Sequence, residues 1–494
     1  MASRLPEEIL LQVLGQLPRE TTLKVYQTDR RFRRILRPYI FAQFAFHPYA
    51  TAAKDGQETN ALLPSPRKVE QLMERLEFWT SIEIAPFVRI CDVRPYTPEH
   101  SSHSECSPTD VPYVLLFKFY ERLVRFTNLQ LLSCIGIHFT QTFLTNLCRL
   151  PELATLSVTD YMEAPGHDID FSRLKFRNLL ELNLHDRISA EGTDHSHWIR
   201  LLRPEFLTRL KIRLHSDHIP EIDRRPSFPH TTELTLTLAT SSQTPDIRRF
   251  LSKFPALRVL KIRDHKGERE PADSHEPTTA FSSPLTEYTG PVWTLNTFLH
   301  LPTLTYLTVE FCLQTPVLLA TLKTIGVQSC VTSLRVSVFT LTSTQLAVIC
   351  AFFPGLTRLR VEIWSPPPSQ RGSYIDNASD SQAVQAFLET LSKTSLPQHL
   401  THLALAWYNE SGKIDDTIYP KFRRDLTAKL PSVNAIWLCL FDTMLLWHKT
   451  AAGDEEMKEI AFVSVEDEDV GDLLTKIETM RHKFDLTWAD LEHF

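Results

Sequence analysis

PALRVLKIRD, Pro255 to Asp264, holds the signal that decides the fold. Leu257, Leu260 and Ile262 recur at steps of three and two, so Leu260 and Ile262 share one side of an extended chain and Lys261 and Arg263 take the other. Pro255 cannot continue a helix and disfavours helical geometry in the residue before it. The stretch therefore reads as a short strand entered from the end of a helix, TPDIRRFLSKF.

The same hexad recurs through most of the chain. It stands as LATLSV at Leu153, LLELNL at Leu179, LTRLKI at Leu207, LTYLTV at Leu304, VTSLRV at Val331, LTRLRV at Leu356, LTHLAL at Leu400 and VNAIWL at Val433. LQLLSC at Leu129 and TTELTL at Thr231 are looser copies. The central apolar residues, from Leu132 to Ile436, are spaced by 24, 26, 28, 24, 26, 47, 27, 25, 44 and 33 residues. The 47 is about two repeats, and the 44 holds an insertion, SPPPSQRGSYIDNASDS. Proline is phased with the pattern: Pro151, Pro229, Pro255, Pro302, Pro354 and Pro431 each lie five residues before a central position, and Pro397 six before. Between them PVLLATLKTI, TSTQLAVICAFF and SQAVQAFLETLSK read as further helices. Each repeat is thus a strand and a helix, and stacking buries what one repeat alone leaves exposed.

From about Leu129 to Leu438 the pattern resembles the leucine-rich repeat family. That family places Asn or Cys five residues after the central leucine; here the positions hold Tyr161, Arg187, His215, Ala239, His265, Cys312, Phe339, Trp364, Tyr408 and Phe441. Without the ladder those residues build, the expected array is an irregular solenoid.

The N-terminal stretch LPEEILLQVLGQLPRETTLKVYQTDRRFRR, Leu5 to Arg34, is of another kind. On a helical wheel at about 100° per residue its first helix spreads apolar side chains over about 180°, too wide for one buried stripe. Pro18 stops that helix, Thr21 is placed to cap a second, and Asp29 caps a third that carries Phe32, Ile35 and Leu36 up to Pro38. Three short helices rarely form a stable unit alone, so a partner is expected to cover the excess. Leu5-Pro6, Glu8, Ile9-Leu10-Leu11, Val13-Leu14, Leu17-Pro18, Leu23 and Arg30-Arg31-Phe32 resemble the F-box family. The resemblance implies a substrate receptor of an SCF-type E3 ubiquitin ligase. Its F-box would hold the Skp adaptor and cullin-RING ligase core through Leu5, Pro6, Ile9, Leu10, Val13, Leu14, Leu17, Pro18, Leu23 and Phe32. Its repeats would hold an unknown protein substrate.

The expected fold is therefore α/β: a short N-terminal three-helix F-box followed by an irregular leucine-rich-repeat solenoid, strand plus helix per repeat. The divisions are 1–46 F-box, 47–81 linker and connecting helix, 82–450 solenoid, and 451–494 an acidic C-terminal segment with a capping helix. The solenoid interval includes a possible degenerate first strand in PFVRICDV, a Ser/Pro-rich loop at 95–112 expected to be mobile, and the insertion at 365–381.

Residues one before, one after and three after each central leucine should face the concave side. Arg209, Lys211, Arg213, Lys261, Arg263, Arg335, Arg358 and Arg360 fall there, interrupted by Glu181, Glu233, Glu310 and Glu362. Two readings stand: a basic lane for an acidic or phosphorylated segment, or a solvated face of mixed charge. Trp364, Trp407, Tyr408, Trp437 and Phe441 are either a substrate hot spot or filler of an irregular core. The arginines at 30, 31, 33, 34 and 37 are placed on a solvated helix face rather than on phosphate.

Other chemistries find little support. The 13 glycines are nowhere closer than 17 residues, which excludes phosphate loops, the dinucleotide fingerprint and the nucleophile elbow. The eight cysteines form no CxxC and are expected as reduced, buried thiols. His100, His103 and Cys106, and Asp194, His195 and His197, lack a second ligand pair, so no metal and no cofactor are expected. A net charge of −6 gives no general pull toward nucleic acid. No apolar run reaches the ~18 residues of a membrane span, and Ile9 to Leu14, with Glu7 and Glu8 where a signal peptide would be basic, is assigned to the mature fold. The expectation is a non-catalytic intracellular protein, cytoplasmic and/or nuclear, with no membrane and no nucleic-acid partner; the alternative is a leucine-rich-repeat scaffold without a ligase role.

Overall fold

The structure, a computed structural model, describes residues 7–461 with breaks, the longest at 52–60, 95–110, 186–195, 215–225, 239–246, 265–282, 365–377 and 409–417. Leu5, Pro6, the loop at 95–110, most of the insertion, Phe441 and the tail from 462 lie outside the described residues. The chain divides into two units, Met1–Leu257 and Arg258–Phe494.

In the first unit the parallel strands are β1 (Gln43–Phe46), β2 (Ile90–Val93), β3 (Leu131–Ile135), β4 (Thr155–Thr159), β5 (Glu181–His185), β6 (Arg209–Leu214) and β7 (Glu233–Leu238), in chain order across the sheet. In the second they are β8 (Val259–Asp264), β9 (Glu287–Gly290), β10 (Tyr306–Leu313), β11 (Ser333–Val338), β12 (Arg358–Trp364), β13 (His402–Tyr408) and β14 (Ala435–Leu440). The register sets the central residue of each repeat against that of the next: Leu132, Leu156, Leu182, Leu210 and Leu234 in one unit, Leu260, Tyr288, Leu307, Leu334, Leu359, Leu403 and Ile436 in the other. All of them are buried, so this row is the spine of each unit's core. The architecture is a repeat-type α/β fold.

Helices return the chain from strand to strand, among them Ile247–Leu251, Thr315–Ile325, Ser343–Ala351, Ala378–Leu391 and Ile418–Lys429. The last four residues of the 365–381 interval already belong to the fourth of these. Ser343–Ala351 starts in a capping box, with Thr342 accepting from the Gln345 amide and the Gln345 side chain accepting from the Thr342 amide.

Several boundaries move. The sheet begins at Gln43, inside the interval assigned to the N-terminal helices, because Phe44 and Phe46 are buried and their strand pairs in parallel with β2. The degenerate strand expected in PFVRICDV is β2, and the connecting helix runs Pro66–Trp79. Val111 and Pro112, placed in the loop, open a helix, Val111–Arg122. The interval of 47 residues contains β9, whose central residue is Tyr288 rather than leucine. Tyr288 is fully buried, its hydroxyl bonded to Thr294, and Gly290 follows because a Cβ there would lie 2.7 Å from the Tyr288 ring. At the C-terminal end β15 (Thr443–Lys449), inside the interval assigned to the solenoid, and β16 (Glu455–Ala461), at the start of the segment assigned to an acidic stretch and capping helix, add in antiparallel fashion.

In several repeats the missing asparagine ladder has a substitute two residues before the centre. The hydroxyls of Thr286, Thr305, Thr332, Thr357 and Thr401 donate to the carbonyls of Arg258, Thr286, Thr305, Thr332 and Thr357 at 3.2, 3.2, 3.4, 3.0 and 2.9 Å. Each rung ties one repeat to the next. In the first unit Thr208 and Thr232 do the same toward Leu180 and Thr208.

Candidate functional site

Two surfaces stand out, the N-terminal helices and the open face of the sheets. The helices are α1 (Glu7–Gly15), α2 (Arg19–Thr28) and α3 (Arg30–Ile40). Asp29 caps α3 as expected, accepting from the Arg31 amide at 2.6 Å. Thr21 does not cap α2, which starts after Pro18 and holds Thr21 in its first turn. Pro38 does not end α3; it lies inside the helix and removes the amide that would bond the Arg34 carbonyl, and the helix nonetheless continues to Ile40.

Leu10 and Leu14 of α1 pack against Ile35 and Leu36 of α3, with Leu11, Leu17, Val25, Tyr26, Phe32 and Ile40 partly buried around them. Leu10 and Leu14 are thus core residues of the helical unit. The neighbouring stripe faces outward: Ile9 is 43% and Val13 57% exposed, one turn apart, and Leu23 on α2 is 39% exposed. A shallow cavity of about 240 Å³ lies between Thr22, Leu23, Tyr39, Ile40 and Gln43. Of the α3 arginines, Arg33 lies 5.8 Å over the Tyr26 ring, and Arg37 pairs with Glu83 at 2.9 Å and covers Phe87.

An aromatic relay joins these helices to the first strands. Phe41 meets Tyr26, Phe78 and Trp79 edge-on; Trp79 stacks on Phe44 at 4.9 Å, and Phe44 and Phe46 reach Phe126 and Phe119. Such pairs prefer these offset and edge geometries.

On the open face of the first unit Arg209 bridges Glu181 at 3.1 Å and Glu233 at 3.3 Å, Lys211 is half-buried, and Arg213 is buried at 1% exposure, out of reach of a ligand. In the second unit Lys261 stands 3.9 Å from Glu287. Arg335 and Arg360 both pair with Glu362, at 2.8 and 2.7 Å, and Ser337 donates to the same carboxylate at 2.7 Å. This network draws Arg360 down to 6% exposure, so it too is a buried member of the lane rather than an accessible one. Arg263 and Arg358 lie half-buried on the same face.

Burial alone raises the Glu362 carboxyl, but Arg360, Arg335 and the Ser337 hydroxyl more than offset it and hold it below the ordinary glutamate value. Glu310 goes the other way: burial raises it, and Arg263, Arg335 and Lys261 only partly compensate. The cysteines Cys91, Cys134, Cys148 and Cys350 are free and buried, and burial raises their thiols, to about 12 for Cys148 and Cys350.

The C-terminal aromatics divide. Trp407 is core, 5.5 Å from Phe387, whereas Trp437 is half-buried on the open face. Among the described residues no helix is long and apolar enough to cross a membrane, and no three His, Cys, Asp or Glu are gathered as metal ligands. No family model and no curated protein matches the chain.

Proposed function

We propose that this chain is the substrate-recognition subunit of an SCF-type ubiquitin ligase, with α1 to α3 docking a Skp adaptor and the repeats holding a protein substrate. The observation that carries this reading is the outward stripe Ile9, Val13 and Leu23, beside a core already closed by Leu10, Leu14, Ile35 and Leu36. An apolar stripe left over after the core is complete calls for a partner. The chain itself is given no chemical step. Its contribution is proximity, keeping a bound protein where a ubiquitin carrier on the ligase core reaches its lysines. The aromatic relay supports that role, since a receptor has to transmit position from adaptor to substrate.

Co-purification with a Skp adaptor tests it. Wild type should bind, and Ile9→Asp with Val13→Asp should lose binding with the helical circular dichroism unchanged, because both side chains point outward. Leu10→Asp is the contrasting control and should unfold the helical unit. A wild-type chain that folds and captures no adaptor leaves the scaffold reading.

A further inference from the structure

From β10 to β14 every strand of the second unit is preceded by a helix, the last being Ile418–Lys429, whereas β15 and β16 follow with no helix beyond it among the described residues. The flank of that last helix is short of hydrogen-bond acceptors. Tyr419 and Trp447 are 3% and 1% exposed, yet the Tyr419 hydroxyl and the Trp447 indole N–H have no partner, and buried polar groups are almost always paired. Arg423 lies 5.8 Å over the Trp447 ring, so the helix and β15 meet there. Lys421 and Arg424 are exposed one turn apart on the same helix, whose sequence IYPKFRRDLTAK carries four cations and one anion.

The register shows what leaves this end. It sets Ala461 of β16 opposite Thr443 of β15, and Thr443 opposite Leu440 of β14. The chain therefore leaves β16 at the end of the strands from which it enters each helix of the unit. The next residues, 462–475, hold five carboxylates, Glu466, Asp467, Glu468, Asp469 and Asp472, and no lysine or arginine. Leu473, Ile477, Met480 and Phe484 then recur at steps of four, three and four, which is one stripe of a helix. The interval 473–484 matches the 12 residues of Ile418–Lys429 in length.

We infer that residues 466–484 fold back on this chain's own C-terminal repeat. The acidic run meets Lys421 and Arg424 beside Tyr419, and the apolar stripe covers the helix side of β15 and β16 in place of one further repeat's helix. The inference does not rest on the ligase reading. The reach suffices: β16 is two strand steps from β14, about 10 Å at about 4.8 Å per step, and residues 462–466 span about 16 Å when extended. The covered side is apolar, since Leu445 and Trp447 stand in register with the buried Leu438 and Ile436. Carboxylates accept and do not donate, which is what two unpaired donors and exposed cations require. Acidic residues also favour the start of the helix they precede. A tethered segment works at a high effective concentration, which favours it over a free acidic partner.

Hydrogen exchange of the purified full chain, read by mass spectrometry, tests this. Amides of 473–484 should exchange about tenfold or more slower than in a synthetic peptide of the same residues. Ile477→Asp with Met480→Asp should remove that protection and speed exchange in Ile418–Lys429 and Thr443–Lys449, with β8 to β12 unchanged. Lys421→Glu with Arg424→Glu should also release the segment, and Asp467→Lys with Glu468→Lys added to that pair should restore it, a rescue that a misfolded variant does not give. An unprotected 473–484 in the wild-type chain overturns the inference. So does protection that fades on dilution, which makes a second copy the occupant, or release by the Ile477 and Met480 changes with the last helix unaffected, which places the segment elsewhere.

Discussion

Glu310 and Glu362 share one sheet face and are shifted in opposite directions from the ordinary glutamate value, which gives the second unit a pH signature. Glu362 is held below its unfolded value, so its contribution is present above the unfolded pKa and is lost as pH falls through the lowered folded value. Glu310 is raised, so the folded state binds its proton more readily; the cost of keeping it charged grows as pH rises from the unfolded value to the folded one and persists above. Glu362→Gln, which leaves Arg335 and Arg360 without their carboxylate, should therefore lower stability at neutral pH by about 2–3 kcal/mol. Glu310→Gln should raise Tm at neutral pH, with the gain fading in acid. Thermal unfolding of both variants from neutral to acidic pH checks the two signs together, and a stabilising Glu362→Gln would mean that the ion pairs hold less than their geometry implies.

Between elements, the threonine rungs decide how one repeat grips the next. Each receiving carbonyl in the second unit also accepts a backbone amide, as Thr332 O does from Thr357 N at 2.8 Å, so losing a hydroxyl leaves no orphaned acceptor. Thr357→Val and Thr401→Val keep the β-branched shape the strand favours, and each should lower stability by about 0.5–1.5 kcal/mol in urea unfolding. The same rungs show how much of the fold was legible in the sequence. The threonine stands in plain view in LTRL, LTYL, VTSL and LTHL, but its role depends on a parallel register that alternation alone does not state. The strand at Glu287–Gly290 was hidden because Tyr288 and Gly290 occupy positions where the pattern asks for aliphatics. At the candidate site the helical wheel saw too many apolar residues on α1 but could not say which were surplus. Packing against Ile35 and Leu36 settled that Leu10 and Leu14 are inside and Ile9 and Val13 outside. Arg213 and Arg360 likewise follow the surface parity of their strands and are buried nonetheless, a depth that parity cannot encode.

Across the first unit, the boundary between helices and repeats falls where the aromatic relay begins. Phe44 and Phe46 are each 1% exposed and lie in the strand that starts the sheet, and Phe41 is wedged against Trp79 on the helix that follows. Removing α1 to α3 while keeping this strand should spare the repeats; removing the strand as well should not, since each phenylalanine contributes about 1.5–3 kcal/mol of burial and its loss opens the edge of β2. A chain begun at Phe41 is thus expected to unfold cooperatively in urea, remain monodisperse and lose adaptor binding, while one begun at Tyr49 should aggregate or show a flattened transition. If the two fragments behaved alike, β1 would be a surface strand rather than the first member of the array, and position would have to pass from adaptor to substrate through the Pro66–Trp79 helix alone.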